Sequence, residues 1–319
     1  MQILTVTLPI FLLIAAGYAM RRAKFITDDV RNFLSKFVFY AAFPALTFRS
    51  IVSFDFTATL DLPLVAANLS STLVLFVLSF AAVMLLRDRH RRGALHMGSF
   101  RSNQGYLGLP VVSGFYGTEA MSRAAVVNGF DSPLSVILSV IALETYGTRA
   151  GGSKIRVFLL KLRGLATNPI VLSSFLGLAF SYFRIPVLSV GILDQLLALL
   201  AGTSLPLALL SIGCSLEIGK LLANLRPVLA VAAAKLLLLP AIAFVLSYFV
   251  FGLRGTDLSV NLILTAMPTS VSSYIMACEM DTDEELMASI IGLTTFASVV
   301  TVSLLQWALA SGWIPISTN

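Results

Sequence analysis

The chain has 319 residues, 57% hydrophobic and 12% charged, with a formal net charge of +6. Soluble domains carry roughly 25% charge, so this is an integral membrane protein, and its long apolar runs make it helical rather than a barrel. The basic residues lie in short clusters between apolar runs, a topology signal that argues against a nucleic-acid partner and makes the lipid bilayer the first partner.

In chain order, the apolar runs predict ten spans, at 3–20, 33–52, 63–86, 94–115, 121–145, 167–183, 190–214, 227–250, 258–278 and 285–310. The first run carries Arg21, Arg22 and Lys24 after it. A signal peptide carries its positive charges before the apolar run, so this reads as a first transmembrane helix. Basic clusters then follow every second span: Arg21 to Lys36, Arg87 to Arg92, Arg149 to Arg163, and Lys220 with Arg226. The opposite loops hold only Arg49, Arg123, Arg184 and Arg254. Positive residues stay cytoplasmic, which puts both termini outside, in what is expected to be a bacterial inner (plasma) membrane. The acidic loop Glu279 to Glu284 weighs little in that rule. The domain organisation expected is one membrane domain over 1–319. It divides into five spans at 1–146, a central cytoplasmic loop at 147–166, and five spans at 167–319.

Two spans break their own pattern. The fourth contains Asn103-Gln104-Gly105-Tyr106-Leu107-Gly108-Leu109-Pro110, where glycine loosens a helix and proline removes a donor. The ninth contains Ala266-Met267-Pro268-Thr269-Ser270. Freed backbone groups at membrane depth persist only where protein or a watery cavity satisfies them. Sliding the second half onto the first matches Phe43-Pro44-Ala45-Leu46 to Leu205-Pro206-Leu207-Ala208 and sets Gly105 opposite Pro268. Five spans per half invert the second copy. Inverted repeats with matched, interrupted helices are the sequence signature of a secondary transporter with its site at mid-membrane.

These residues resemble the auxin efflux carrier family, particularly its bacterial members known as malonate or malate permeases. The resemblance covers nearly the whole chain. It is firmest at Asn103 to Pro110, Thr167-Asn168-Pro169-Ile170, Ser204 to Gly213, Lys235-Leu236 before Pro240, and Ala266 to Ser270. It implies ten helices in a 5+5 inverted repeat, a crossover of broken helices 4 and 9, and transport of organic anions. It suggests a homodimer only weakly. Plant members have a long central loop; here that loop is short, so the regulation it carries is not implied.

The expected substrate site is Asn103, Gln104, Gly105, Tyr106, Pro110, Pro268, Thr269 and Ser270. Against this stands the reading of a polar cap that merely satisfies a broken helix, with Ser and Thr bonding back to their own carbonyls. Asp131 and Lys235 lie inside spans, where an ionisable residue is functional by default, and are candidates for coupling or charge balance. Arg101, Glu144 and Glu217 read as anchors or end charges near interfaces. The function expected is a secondary transporter for small carboxylates, mono- or dicarboxylates such as malonate or malate. The alternative is a cation/proton antiporter or Na⁺-coupled carrier of similar fold, disfavoured because neither interruption contains Asp or Glu. No enzyme motif such as His-Glu-x-x-His or Gly-x-Ser-x-Gly occurs, and Cys214, Cys278, His90 and His96 have no metal-ligand spacing. No cofactor or metal is expected beyond a coupling H⁺ or Na⁺.

Overall fold

The computed structural model describes residues 2–53, 61–146, 167–189, 191–216, 224–280 and 282–311. The expected central loop at 147–166, with its basic cluster, lies outside them, as do Glu217, Lys220 and Asp281. Among the described residues the chain is all helix, and the sole extended contact is an isolated bridge between Ser102 and Thr269.

The elements in order are α1 (Gln2–Arg22), α2 (Asp28–Phe37), α3 (Phe43–Val52), α4 (Leu62–Met84), α5 (Arg89–Phe100), α6 (Leu109–Tyr146), α7 (Pro169–Tyr182), α8 (Gly191–Ser215), α9 (Leu225–Ala233), α10 (Leu239–Val245), α11 (Gly255–Ala266), α12 (Ser272–Glu279) and α13 (Glu284–Ala310). Local chemistry sets where these start. Asp61, Asp88, Asn168 and Asp283 each accept a backbone N–H of the first turn that follows, and Pro63 and Pro169 occupy first-turn positions where no N–H is needed. Within α6, Gly117 has φ +78°, a left-handed conformation that only glycine adopts without strain, and the helix is interrupted by a kink there. Among the described residues, five helices are long and apolar enough to cross a membrane: Leu62–Met84, Glu119–Tyr146, Gly191–Ser215, Leu225–Val250 and Glu284–Ala310. Other expected spans appear as interrupted or shorter helices, such as α5 with the start of α6, α7, and α11 with α12.

Three of the four helical π turns among the described residues, Val38–Ala42, Gln104–Gly108 and Ala234–Leu238, are each followed two residues later by a proline: Pro44, Pro110 and Pro240. The proline ring clashes with the carbonyl four residues back, and the wider turn makes room for it. Pro110 therefore sits near the start of α6 and does not itself break a helix. The fourth span opens seven to nine residues earlier, at Arg101–Asn103.

The helices sort into two groups by packing. α1, α2, α3, α7 and α8 pack chiefly on one another. α4, α5, α6 and α9 to α13 form the second group. Ion pairs at the rim reinforce both: Arg49 with Asp194 at 2.8 Å ties α3 to α8, and Arg123 with Asp257 at 2.7 Å ties α6 to α11. Such rim pairs are worth at most about 1 kcal/mol each. Burial of aliphatic surface within each group does most of the work, and a cavity lies where the two groups meet.

Candidate functional site

The two interruptions touch. Asn103 donates its backbone N–H to the Pro268 carbonyl at 2.8 Å, and Ser270 donates its own to the Arg101 carbonyl at 3.1 Å. These bonds close the antiparallel bridge between Ser102 and Thr269. The leading half-helices α5 and α11 are each 12 residues long and both end at this contact. The carbonyls at these ends are taken up from outside the helices, Gly98 accepting from Thr269 Oγ1 at 2.8 Å. Arg101 follows α5 directly, while Lys235 reaches from the π turn of the eighth span to donate to the Thr265 carbonyl at 2.8 Å. Gly108 permits the close approach: a Cβ there would stand 2.8 Å from Leu264 Cδ2 and 3.3 Å from Met267 Cγ.

A cavity of about 170 Å³ opens beside the contact. At 10–15 Å³ per water-sized position, that is room for a solute of several heavy atoms. Its two walls differ in kind. The second helix group supplies a polar wall, including Arg101, Asn103, Gln104, Asn128, Asp131 and Ser270. The first group supplies Phe43, Leu46, Ile51 and Ile170, with Thr47 as the polar exception. The polar wall draws on a helical stripe: Asn128, Asp131 or Ser132, and Ser135 recur at three- and four-residue spacing on α6.

Of the residues expected at the site, Asn103, Gln104, Gly105, Tyr106, Ser270 and Asp131 line the cavity. Pro110, Pro268, Thr269 and Lys235 do not. Pro268 offers its carbonyl to Asn103, and Thr269 donates its hydroxyl to the Gly98 carbonyl at 2.8 Å while its N–H meets Thr294 Oγ1 at 3.3 Å. Tyr106 and Ser204 share a hydroxyl hydrogen bond. Asp131 is fully enclosed, with Thr72 donating to Oδ1 and Ser135 to Oδ2, both at 3.1 Å. Two carboxamide atoms on the wall are buried without a hydrogen-bond partner: Asn103 Nδ2 and Gln104 Oε1. Buried polar groups are nearly always satisfied, so an orphan pair at a cavity marks a place that a ligand or water completes.

Sequence reasoning missed three residues. Arg101, read as an interfacial anchor, is 5% exposed and lines the cavity. Its position eight residues into the expected fourth span was the available signal. Asn68 and Asn261 are wholly buried and form an amide chain, Gln104 to Asn68 at 3.3 Å, Asn68 to Asn261 at 2.7 Å, and Asn261 to Ser247 at 2.7 Å. Each is one of several polar residues in a mostly apolar helix, and only their mutual contact distinguishes them.

The membrane transport protein family matches residues 2–150 and 153–306 of the chain. A protein of Rhizobium meliloti provisionally named a malonate transporter is 27% identical, with 98% of each chain aligned. An uncharacterized transporter of Methanothermobacter thermautotrophicus is 26% identical over 93% of this chain and 95% of its own. The lysosomal cholesterol signaling protein of Mus musculus is 25% identical over 94% of this chain, which spans 36% of that protein's length.

Proposed function

The chain belongs to the membrane transport protein family, that of the auxin efflux carriers, and from that premise we propose that it is a secondary transporter for small organic anions, mono- or dicarboxylates such as malonate or malate. The observation that carries this reading is the cavity's polar wall: a buried guanidinium and an unpartnered carboxamide N–H stand together at the paired interruptions. Donors outnumber fixed negative charge there, as an anion site requires. The relative named for malonate adds support for the substrate class.

The architecture proposed is ten spans in a 5+5 inverted repeat, with the broken fourth and ninth crossing at mid-membrane. Paired element lengths support it: α5 and α11 have 12 residues each, and Glu119–Tyr146 and Glu284–Ala310 have 28 and 27. Transport follows by alternating access. The polar wall rides on one helix group and the apolar wall on the other, so rocking one against the other exposes the bound anion to each side in turn. A carboxylate leaving a cell at negative potential gains ~2.3 kcal/mol per charge per 100 mV, which favours export without a coupling ion. Import needs H⁺ or Na⁺, and Asp131 is placed to carry it.

Counterflow in proteoliposomes tests this. Internal malonate, malate or a monocarboxylate should accelerate uptake of labelled substrate by the purified, folded protein. Absence of flux for every carboxylate overturns the reading. A second reading, cation/proton antiport or Na⁺-coupled carriage, rests on Asp131, the cavity's one carboxylate among the described residues. Na⁺/H⁺ exchange in the same vesicles without any organic anion would establish it instead.

A further inference from the structure

Arg101 is the one cationic side chain on the cavity wall among the described residues. Its Nη1 is engaged, donating to Ser139 Oγ at 3.3 Å and contacting the Met276 sulfur. Its Nη2 and Nε, the side of the fork that grips a carboxylate with two parallel bonds, hold no hydrogen-bond partner among the described residues. The carboxylate that shares the cavity does not take that fork. Asp131 is held by neutral hydroxyls, Thr72 on one oxygen and Ser135 on the other, and forms no ion pair among the described residues. Lys235, the other buried cation nearby, is tied to the Thr265 carbonyl and does not line the cavity. Asp131 and Arg101 attract each other across the cavity without touching, so the guanidinium fork stays open to an ion that arrives.

The opposite wall sets what the rest of the ligand can be. Phe43, Leu46, Ile51 and Ile170 offer no donor and no charge to a second carboxylate. Apart from Arg101, a second carboxylate would find only neutral donors such as Thr47, Asn128 and Ser272, with no second cation on the wall among the described residues and with Asp131 sharing the cavity, which costs a dianion free energy. Resting on the anion-carrier reading above, we infer that Arg101 is the specificity-determining residue of this site. It reads a single carboxylate, aided by Asn103 Nδ2, so that the chain takes monoanions with a short apolar tail and rejects dianions. Arg101 also sits where the two interruptions are hydrogen-bonded, its carbonyl accepting from Ser270. An anion on its side chain therefore sits directly against the contact that joins the two interruptions.

The test is ligand-induced thermal stabilisation of the full chain in detergent at neutral pH, with butyrate, isovalerate and malonate as probes. Ligands that bind only the folded state raise its melting temperature in proportion to ln(1 + [L]/Kd). The wild type should be stabilised by butyrate and isovalerate at concentrations where malonate has little effect. Arg101→Gln should weaken monoanion binding about a hundredfold, and Arg101→Lys should recover part of the loss, because an ammonium keeps the charge without the fork. Asp131→Asn is the independent arm, informative even if the Arg101 variants do not fold. Removing the negative neighbour should tighten butyrate severalfold and narrow the discrimination against malonate. Wild-type preference for malonate, unchanged butyrate binding in Arg101→Gln, or weakened butyrate binding in Asp131→Asn would each overturn the inference while leaving a carboxylate carrier standing. A folded wild type that responds to none of the three probes, and shows no carboxylate counterflow, removes the underlying reading as well.

Discussion

The interruptions of the fourth and ninth spans meet backbone to backbone, yet they use their polar atoms in opposite ways. In the ninth, nearly every group serves the fold. Pro268 accepts from Asn103, Thr269 bonds Gly98 and Thr294, and Lys235 takes the Thr265 carbonyl. Only Ser270 and Ser272 reach the cavity, and their hydroxyls bond each other at 2.9 Å. In the fourth, Arg101, Asn103 and Gln104 each keep donors or acceptors unengaged beside that cavity. The lesson is that two breaks of similar length divide the labour. One is satisfied almost wholly within the fold, and the other leaves polar atoms unengaged beside the cavity. A site with fixed geometry on one side and unsatisfied chemistry on the other is pre-organised for binding.

The comparison breaks most readily at Gly108, which lets the two interruptions approach. Gly108→Leu pushes a side chain into Leu264 and Met267, where even a Cβ is too close. It should cost about 3 kcal/mol and lower the melting temperature by about 6 °C in a thermal scan, with ligand stabilisation lost at the same time. Asn103→Ala comes next and should act on binding alone. Asn103 Nδ2 has no partner to lose, so the unliganded melting temperature should stay nearly unchanged. Carboxylate affinity, read from the ligand-induced shift, should fall by about 2 kcal/mol, the size of a hydrogen bond to a charged group. Collapse of the unliganded protein would instead make Asn103 a structural cap and erase the contrast.

Thr269→Val is the mirror experiment. It removes the hydroxyl bound to the Gly98 carbonyl, and should lower stability by about 1.5 kcal/mol while leaving the carboxylate-induced shift intact. Loss of ligand response would show that the ninth-span break also recognises substrate. The smallest effect lies outside both breaks. Asp28 is hydrogen-bonded by Arg21 at 2.7 Å, which holds its carboxyl below the usual carboxylate range. A lowered pKa contributes stability that is present above the unfolded value and lost as the pH falls through the lowered one. Because the pair is solvent-exposed, Asp28→Asn should leave the melting temperature at neutral pH unchanged within error. A measurable drop would mean that the exposed pair of Arg21 and Asp28 also holds the fold.

The breaks themselves were legible before any fold was known, but their exact place and use were not. Gly105, Gly108 and Pro110 announced irregularity in the fourth span, and the chain opens beside them at Arg101–Asn103. Gly108 is there for close packing, and Pro110 is accommodated by a π turn. Thr269 and Ser270 look alike in the sequence, adjacent hydroxyls after a proline. One bonds Gly98 and the other lines the cavity, a difference set by residues about 170 positions away.

Hydropathy, charge clusters, helix caps and proline positions act within a few residues of one another. The sequence by itself therefore determined a helical membrane protein, the extent of its apolar segments, the location of two weak points, and its family. Whether a buried polar atom is satisfied depends on which distant segment folds against it. Only the tertiary structure decided that Arg101 faces a cavity, that Asn68 meets Asn261, and that Lys235 closes a helix end. Those contacts separate the polar residues that are satisfied within the fold from the ones left open at the cavity, because hydrogen-bond satisfaction is a property of the packed interior and apolarity a property of the chain.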